Sequence, residues 1–157
     1  MLKVKELEKK ILLNLLEKGQ RPVLKIAEDL GVTRQTVAKK LEQMRSSGLI
    51  LSFFPKMDPE ILGLSIQAYI LMNEDPKNQC RKETEEILIS FPQVTEFKRI
   101  FGTYDSIAKV LVNNNQELTD LVKKIHDLKG VKETETFIVH STIKDKPEDP
   151  IKNKLTT

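Results

Sequence analysis

The sequence contains a single cysteine, two histidines and no tryptophan. Cys80 cannot form an intramolecular disulfide, and together with only His126 and His140 it argues against a zinc centre, which needs clustered thiolate or imidazole ligands. We therefore expect no metal and no cofactor. No apolar run approaches the roughly 18 residues that cross a bilayer, and the first ten residues lack the continuous apolar stretch of a signal peptide. These absences predict a cytoplasmic protein without membrane contact.

Glycine and proline are also scarce, at six and seven residues, whereas charged residues make up 31% and hydrophobic residues 39% of 157 positions. This composition is that of a folded chain, long enough for one domain or two small ones. Positions 1–60 hold 12 lysines and arginines against 8 aspartates and glutamates, a net charge of +4, and positions 61–157 hold 14 against 15, a net of −1. A basic module followed by a neutral one is typical of a nucleic-acid binder with a separate regulatory part.

Three helices are predicted in the basic part, because apolar residues recur at helical spacing over 3–18, 23–30 and 33–47. Glycines follow all three segments and are typical helix ends. The apolar run 49–55 that comes next predicts an extended strand of a wing.

The second and third of these helices have the spacing of a helix-turn-helix. That motif needs a small residue in its first helix, a glycine-like residue at the turn and an apolar residue that packs back from the second helix. Ala27, Gly31 and Val37 meet these needs, and Thr33 is expected to cap the second helix by accepting a hydrogen bond from a free amide.

The outward face of the second helix is predicted to contact double-stranded DNA. Arginine, glutamine and lysine can read purine edges, while threonine and lysine suit phosphate contacts. The residues assigned to this face are Thr33, Arg34, Gln35, Thr36, Lys39, Lys40 and Gln43. A helical hairpin with a merely solvated basic face would give the same pattern, so the motif alone leaves both interpretations open.

The second half of the chain predicts an α+β domain of ferredoxin-like type, because its strands and helices follow the order βαββαβ. The predicted strands are 64–72, 94–101, 106–112 and 131–143, and the predicted helices are 78–91 and 116–128. The whole chain then divides into a winged helix-turn-helix over 1–50, a hinge strand and linker over 51–63, a ferredoxin-like domain over 64–143 and a flexible tail over 144–157.

Several segments together resemble the Lrp/AsnC family, the leucine-responsive and asparagine-synthetase regulators of bacteria and archaea. Each segment alone is only moderately specific, but their order and spacing along residues 3 to about 143 are typical of the family. The segments are 26–37 (IAEDLGVTRQTV), 48–50 (GLI), 57–63 (MDPEILG), 101–105 (FGTYD), 128–131 (LKGV) and 134–139 (TETFIV).

The resemblance implies a transcription regulator that forms homodimers through its second domains, often assembled further into tetramers or octamers. Two recognition helices would then meet successive major grooves of a pseudo-palindromic site. It also implies a small effector such as an amino acid, bound between neighbouring subunits by Gly102, Thr103, Tyr104 and Asp105, with Thr134 and Thr136 across the interface.

Thr103 departs from the family pattern, which has an acidic residue at this position of the turn. An amino-acid effector would lose a charged partner for its ammonium group, although Asp105 remains. A second interpretation is that Tyr104 and Asp105 only shape the turn, with Asp105 bonding local amides.

The sequence leaves two alternatives to a DNA-binding regulator. One is an enzyme on the same plan, because siroheme decarboxylases are similar to Lrp-like regulators. Such a site would want converging histidines and arginines, and the second half offers only Arg81 and Arg99 besides the two histidines. We therefore expect no enzymatic activity. The other is a sensing or assembly module that has lost DNA binding, against which the intact basic helix argues.

Overall fold

A computed structural model describes residues 4–157, and at position 78 it describes the backbone only. The chain forms two compact units. The first unit reaches to Lys56 and also takes in Lys144–Thr157, and the second is Met57–Ile143. The division falls within the segment 51–63 that the sequence assigns to the hinge. Among residues 4–157, none of the helices combines the length and apolarity that a bilayer crossing needs.

The first unit is built from helices α1 (Glu6–Lys18), α2 (Val23–Leu30), α3 (Arg34–Ser46) and α6 (Asp149–Thr156). Each of the first three contributes an apolar face to one core, whose buried members are Ile11, Ile26, Ala27, Val37, Leu41 and Met44. The predicted packing of Val37 against Ala27 and Ile26 is thereby confirmed. Position 3, where the sequence predicts the first helix to begin, lies outside the described residues.

Two predictions in this unit are wrong. The run 49–55 forms no strand in the described structure, since its backbone joins no ladder there, and Leu51 and Phe54 are mostly exposed. The tail, predicted to be flexible, instead ends in helix α6, which packs on α1. Pro150 lies in the first turn of α6, where its missing N–H costs no helical hydrogen bond, so it starts this helix instead of breaking it.

The second unit has the predicted βαββαβ order, with β1 (Ile66–Glu74), α4 (Asn78–Ser90), β2 (Val94–Arg99), β3 (Ser106–Val112), α5 (Asn115–His126) and β4 (Val131–Ile138). Its four strands form one antiparallel sheet in the order β2-β3-β1-β4. The last strand ends at Ile138, five residues before the predicted end. This arrangement confirms the ferredoxin-like α+β fold.

One face of the sheet is covered by α4 and α5. Alternate residues of β1 and β3 point into this layer and are fully buried, as the period of two in a strand requires. The core consists of Ala68, Ile70, Met72, Ala108, Val110 and Val112 from the strands, with Leu88, Leu118, Leu121, Ile125 and Val131. The opposite face carries Tyr69, Leu71, Leu111 and Phe137, which are only partly buried or exposed within the described chain.

Gly130 lies where the connection from α5 to β4 passes close to α4. A β-carbon at this position would lie 2.2 Å from Thr84 Oγ1 and 2.8 Å from the carbonyl oxygen of Cys80. Thr84 is only 2% exposed and the carbonyl is backbone, so neither atom can move away easily.

We therefore expect Gly130→Ala to lower the free energy of unfolding by roughly 1–3 kcal/mol, the usual cost of overpacking. Urea unfolding of the variant measures the loss. The neighbouring exposed Lys129 provides a control, because Lys129→Ala should stay within about 0.5 kcal/mol of the parent. Equal stability of Gly130→Ala and the parent would show that the α4 contact is loose.

Candidate nucleic-acid interface and effector loop

The turn between α2 and α3 sets the direction of α3. Gly31 ends α2 in the left-handed conformation, with φ of +64°, which a residue bearing a β-carbon adopts only with strain. The Val32 amide then donates to the Ala27 carbonyl at 3.1 Å. Thr33 caps α3, its hydroxyl accepting from the Thr36 amide at 3.2 Å, so the predicted cap is confirmed.

Helix α3 has one buried and one exposed stripe. Val37, Leu41 and Met44 are buried against α1 and α2. The exposed side chains of the helix are Arg34, Gln35, Ala38, Lys39, Glu42, Gln43, Arg45 and Ser46, with Thr33 exposed at its cap. Of the residues that the sequence assigns to DNA, five are therefore on the exposed surface. Ala38, Glu42, Arg45 and Ser46 are further exposed positions that the sequence-based assignment omits, although helical spacing from Gln35 and Lys39 could have shown them.

Thr36 and Lys40 are placed differently from the other five. Thr36 is half-buried, and its hydroxyl lies 2.8 Å from that of Thr33. The Lys40 ammonium donates to Glu8 Oε1 of α1 at 2.9 Å, with only 22% of the Lys40 side chain exposed. A hydrogen bond from the Lys5 amide, then the one from Lys40, lowers the pKa of Glu8. Lys40 thus ties α3 to α1.

Asp29 of α2 joins α1 and the α1–α2 loop. Its Oδ2 atom accepts from Lys18 Nζ at 2.7 Å, from Arg21 Nη1 at 2.8 Å and from the Asn14 side-chain amide at 2.9 Å. The hydrogen bond from Lys18, followed by that from Asn14, lowers the pKa of Asp29 from 3.8 to about 2. Asn14 is itself buried, so this carboxylate fixes the packing of α1 against α2.

We expect the Asp29 contacts to stabilise the protein above pH 4. Because the folded-state pKa is below the unfolded value, the stabilisation is complete above about 3.9 and is lost as the pH falls toward about 2. Asp29→Asn should therefore melt at a lower temperature than the parent at pH 7, and the gap should narrow between pH 4 and pH 2. Differential scanning calorimetry across that range measures it.

Glu17→Gln is the matched control for Asp29→Asn, since Glu17 is an exposed carboxylate of α1 without an ion pair in the described part of the chain. Its melting temperature should follow that of the parent at every pH. A gap between parent and Asp29→Asn that stays constant down to pH 2 would contradict the assignment.

Arg45 is a further cation on α3 whose surroundings the sequence did not reveal. Its guanidinium lies 5.4 Å from the centre of the Phe53 ring, within cation–π range. Arg45 therefore holds the 49–55 run against the end of α3.

The second candidate site is the loop 101–105 between β2 and β3. Phe101 is fully exposed, and Gly102 and Thr103 are exposed beside it. Asp105 is not free: its Oδ2 accepts from the Glu74 amide at 2.9 Å, and its Oδ1 from Arg81 Nη2 at 3.3 Å. The Asp105 side chain is therefore held by the end of β1 and by α4, through residues 31 and 24 positions away in the chain and not through an amide of its own turn.

The remaining predicted effector residues are divided between the two faces of the sheet. The Tyr104 hydroxyl donates to the Glu135 carboxylate, and this contact raises the pKa of Tyr104. Thr134 and Thr136 pair with Met72 and Ile70 in the strand register, which places them on the helix-covered face, opposite to Glu135. Within one chain, the loop therefore meets β4 through Glu135 and not through the threonines.

Comparison with known proteins places the chain among prokaryotic regulators. The family model for the Lrp/AsnC ligand binding domain matches residues 67–149. The chain is 33% identical to the HTH-type transcriptional regulator FL11 of Pyrococcus horikoshii, over 94% of this chain and 96% of that protein. It is 30% identical to the protein of the same name from Pyrococcus furiosus, with the same coverage.

Solved structures share the fold over nearly the whole chain. A transcriptional regulator of Neisseria meningitidis in complex with L-methionine superposes with a TM-score of 0.85 at 19% identity, covering 96% of this chain and 99% of that one. AsnC of E. coli gives a TM-score of 0.82 at 23% identity, covering 92% and 97%. At sequence identities of 19% and 23%, the structural similarity shows a shared fold.

Proposed function

Because this chain belongs to the Lrp/AsnC family and is therefore a sequence-specific DNA-binding transcription regulator, we propose that α3 lies in the major groove with its exposed stripe toward the bases. The main support for this proposal is that α3 has two distinct faces. One face is buried in the core of the first unit, and the other is exposed. Arg34 and Lys39 lie on the open side and form no ion pair within the described part of the chain, so both are available to DNA.

The proposed contact residues are Thr33, Arg34, Gln35, Lys39 and Gln43. The free amides at the start of α3 favour a phosphate, and the side chains that follow face base edges, as in other helix-turn-helix proteins. Thr36 and Lys40 act indirectly in this proposal. Lys40 keeps α3 at its angle to α1 through Glu8, and Thr36 supports the cap.

We propose a homodimer, formed through the sheet face that the helices of the second unit leave open. Tyr69, Leu71, Leu111 and Phe137 on that face supply apolar surface of the kind that homodimer interfaces bury. A two-fold dimer would place two α3 helices on half-sites about 10 base pairs apart, or a multiple of that spacing. We further propose that the dimers assemble into tetramers or octamers, and the molar mass measured by light scattering tests this.

We propose that the protein works in the cytoplasm, where a regulator of this kind meets chromosomal DNA.

The test of DNA binding is a gel-shift titration of the DNA upstream of the protein's own gene, followed by footprinting. We expect a protected site with two-fold symmetry and an affinity that falls steeply with added salt, since phosphate contacts release counterions. Binding that is insensitive to salt, or equal on random DNA of the same length, would rule the proposal out.

We propose an amino-acid effector bound at loop 101–105, through Gly102, Thr103, Tyr104 and Asp105 of one subunit and Thr134 and Thr136 of a neighbour. Support comes from two solved relatives of this fold, from Neisseria meningitidis and Mycobacterium tuberculosis, that hold L-methionine. Since the Asp105 carboxylate is already occupied by Glu74 and Arg81, the ligand here would depend on the Thr103 hydroxyl and on backbone groups.

Thermal shift with each of the twenty amino acids tests the effector proposal. A true effector should raise the melting temperature in proportion to the logarithm of its concentration, because it binds only the folded state. Thr103→Ala should reduce this increase, while Thr95→Ala, an exposed threonine of β2, should not. No shift with any amino acid at millimolar concentration would remove amino acids as effectors.

We also propose that the chain is no enzyme. Its relatives over 94% of its length are named as transcriptional regulators, which does not favour the siroheme decarboxylase alternative. The purified protein should therefore show no tetrapyrrole absorbance, and a strong Soret band would overturn this assignment.

A further inference from the structure

Glu42 occupies an unexpected place for an acidic residue in a DNA-binding helix. Gln35, Lys39, Glu42 and Ser46 follow one another at spacings of four, three and four residues, so they form a single stripe. All four side chains are exposed, and they lie opposite the buried stripe of Val37, Leu41 and Met44. The Ser46 hydroxyl lies 3.4 Å from Glu42 Oε1, at the distance of a weak hydrogen bond on this face.

Glu42 has no cation partner in the described part of the chain, in contrast to Glu8 and Glu28, which pair with Lys40 and Lys25. Although Lys39 lies one turn away on the same stripe, the Glu42 carboxylate is not tied up in an ion pair and is free to meet a partner on DNA. At neutral pH a carboxylate is negatively charged and only accepts hydrogen bonds. It therefore repels phosphates and has no donor with which to bind the DNA backbone.

The groove floor offers a carboxylate few partners. Guanine O6 and N7 and thymine O4 are acceptors and would repel it, whereas the amino groups of cytosine and adenine donate. Adenine also presents the N7 acceptor beside its amino group, and this favours an amide side chain over a carboxylate. Cytosine has no such acceptor next to its N4 amino group and is the base that glutamate accepts from.

We infer that Glu42 is a specificity-determining residue, which selects a cytosine within each half-site and excludes the other bases at that position. This inference rests on the proposed position of α3 in the major groove. Gln35 and Glu42 are seven residues apart, a rise of about 10 Å along the helix, or about three base pairs of B-DNA. The cytosine read by Glu42 therefore lies at most about three base pairs from the base that Gln35 contacts, since α3 is inclined to the DNA axis.

The test is selection from a library of random DNA duplexes with the full-length parent, Glu42→Gln and Glu17→Gln. We expect the parent to enrich a half-site that contains the cytosine, and Glu42→Gln to prefer adenine there, since glutamine bonds adenine N6 and N7 together. The dissociation constant for the cytosine site, divided by that for the adenine site, should change by roughly tenfold or more between the parent and Glu42→Gln. Glu17→Gln removes the same charge from α1 and should select the parental site.

The possible outcomes separate the two proposals. If the parent enriches no sequence, the DNA-binding role of α3 fails, and the inference fails with it. If the parent enriches a site and Glu42→Gln selects the identical one, only the inference fails. A Glu42→Gln variant that binds all duplexes more tightly with unchanged base preference would mean that Glu42 merely repels phosphates, and this also overturns the inference.

Discussion

Replacing Arg34 and Lys39 together by alanine should reduce operator affinity by ten- to a hundredfold, about the effect of losing two charge-assisted contacts per recognition helix. Both side chains are exposed on α3 and neither forms an ion pair within the described residues. Removing them leaves the apolar core of the first unit unchanged, so the variant should fold as the parent does. Gel-shift titration at several salt concentrations measures the loss.

The salt dependence gives this experiment a second, independent readout. Each phosphate contact that disappears should make the slope of log affinity against log salt shallower by about 0.9. A contact to a base edge would lower affinity without that change in slope. The titration therefore also reports how many of the two cations bind the backbone, and the single variants Arg34→Ala and Lys39→Ala assign that contact to a residue.

Two controls isolate the contribution of α3 from total charge. Lys10→Ala with Lys154→Ala removes two exposed positive charges from α1 and α6 of the same unit, and it should bind DNA within about twofold of the parent. Lys40→Ala should lower the free energy of unfolding but change the affinity for DNA little, because it removes the partner of Glu8 and not a contact to DNA. If this control pair weakened binding as much as the Arg34 and Lys39 pair, α3 would not be the DNA surface.

The helix-turn-helix could be predicted from the sequence because its determinants are local. Gly31 and Thr33 fix the turn and the cap within a few residues, and the core positions follow from helical spacing. The placement of Lys40 could not be predicted in the same way. Its position borders the buried and exposed stripes, and its partner Glu8 is 32 residues away in the chain, so only the tertiary packing of α1 shows which side it takes.

The second unit shows the same limit at the level of strands and loops. The period of two predicted the strands, but the register determines which face each side chain occupies. Thr134 and Thr136 lie on the helix-covered face for that reason. The prolines and charges of the segment after 143 predict a flexible tail. It forms α6 because α1 offers it a packing surface, which no local pattern contains.

Removing the Arg99 guanidinium should destabilise the second unit by roughly 2–3 kcal/mol, because it leaves a buried carboxylate without its cation. The Glu74 side chain is fully buried at the end of β1. Its Oε2 atom lies 3.2 Å from Arg99 Nη1, and its Oε1 accepts from the Ser106 hydroxyl. Arg99→Ala would leave the Ser106 hydroxyl as the one described side-chain partner of that carboxylate.

A double-mutant cycle identifies the buried carboxylate as the cause. Glu74→Gln should recover a large part of the stability lost in Arg99→Ala, since an uncharged amide costs far less to bury unpaired than a carboxylate. Glu85→Gln, which removes the more exposed partner of Arg99, should cost no more than about 1 kcal/mol. Additive losses in the Arg99 and Glu74 double variant, measured by urea unfolding, would show that the two groups are not coupled.

Arg99→Ala should also loosen loop 101–105, because the end of β1 holds that loop. The Glu74 amide donates to the Asp105 carboxylate at 2.9 Å, so a displaced Glu74 loosens this anchor and leaves the loop held through the Asp105 amide, which donates to the Met72 carbonyl at 3.0 Å. Hydrogen exchange of the loop amides should therefore speed up in Arg99→Ala and stay at the parental rate in Glu85→Gln. If an effector binds at this loop, Arg99→Ala should weaken its binding without Arg99 touching it, which places the buried Glu74 pair among the groups that preorganise the site.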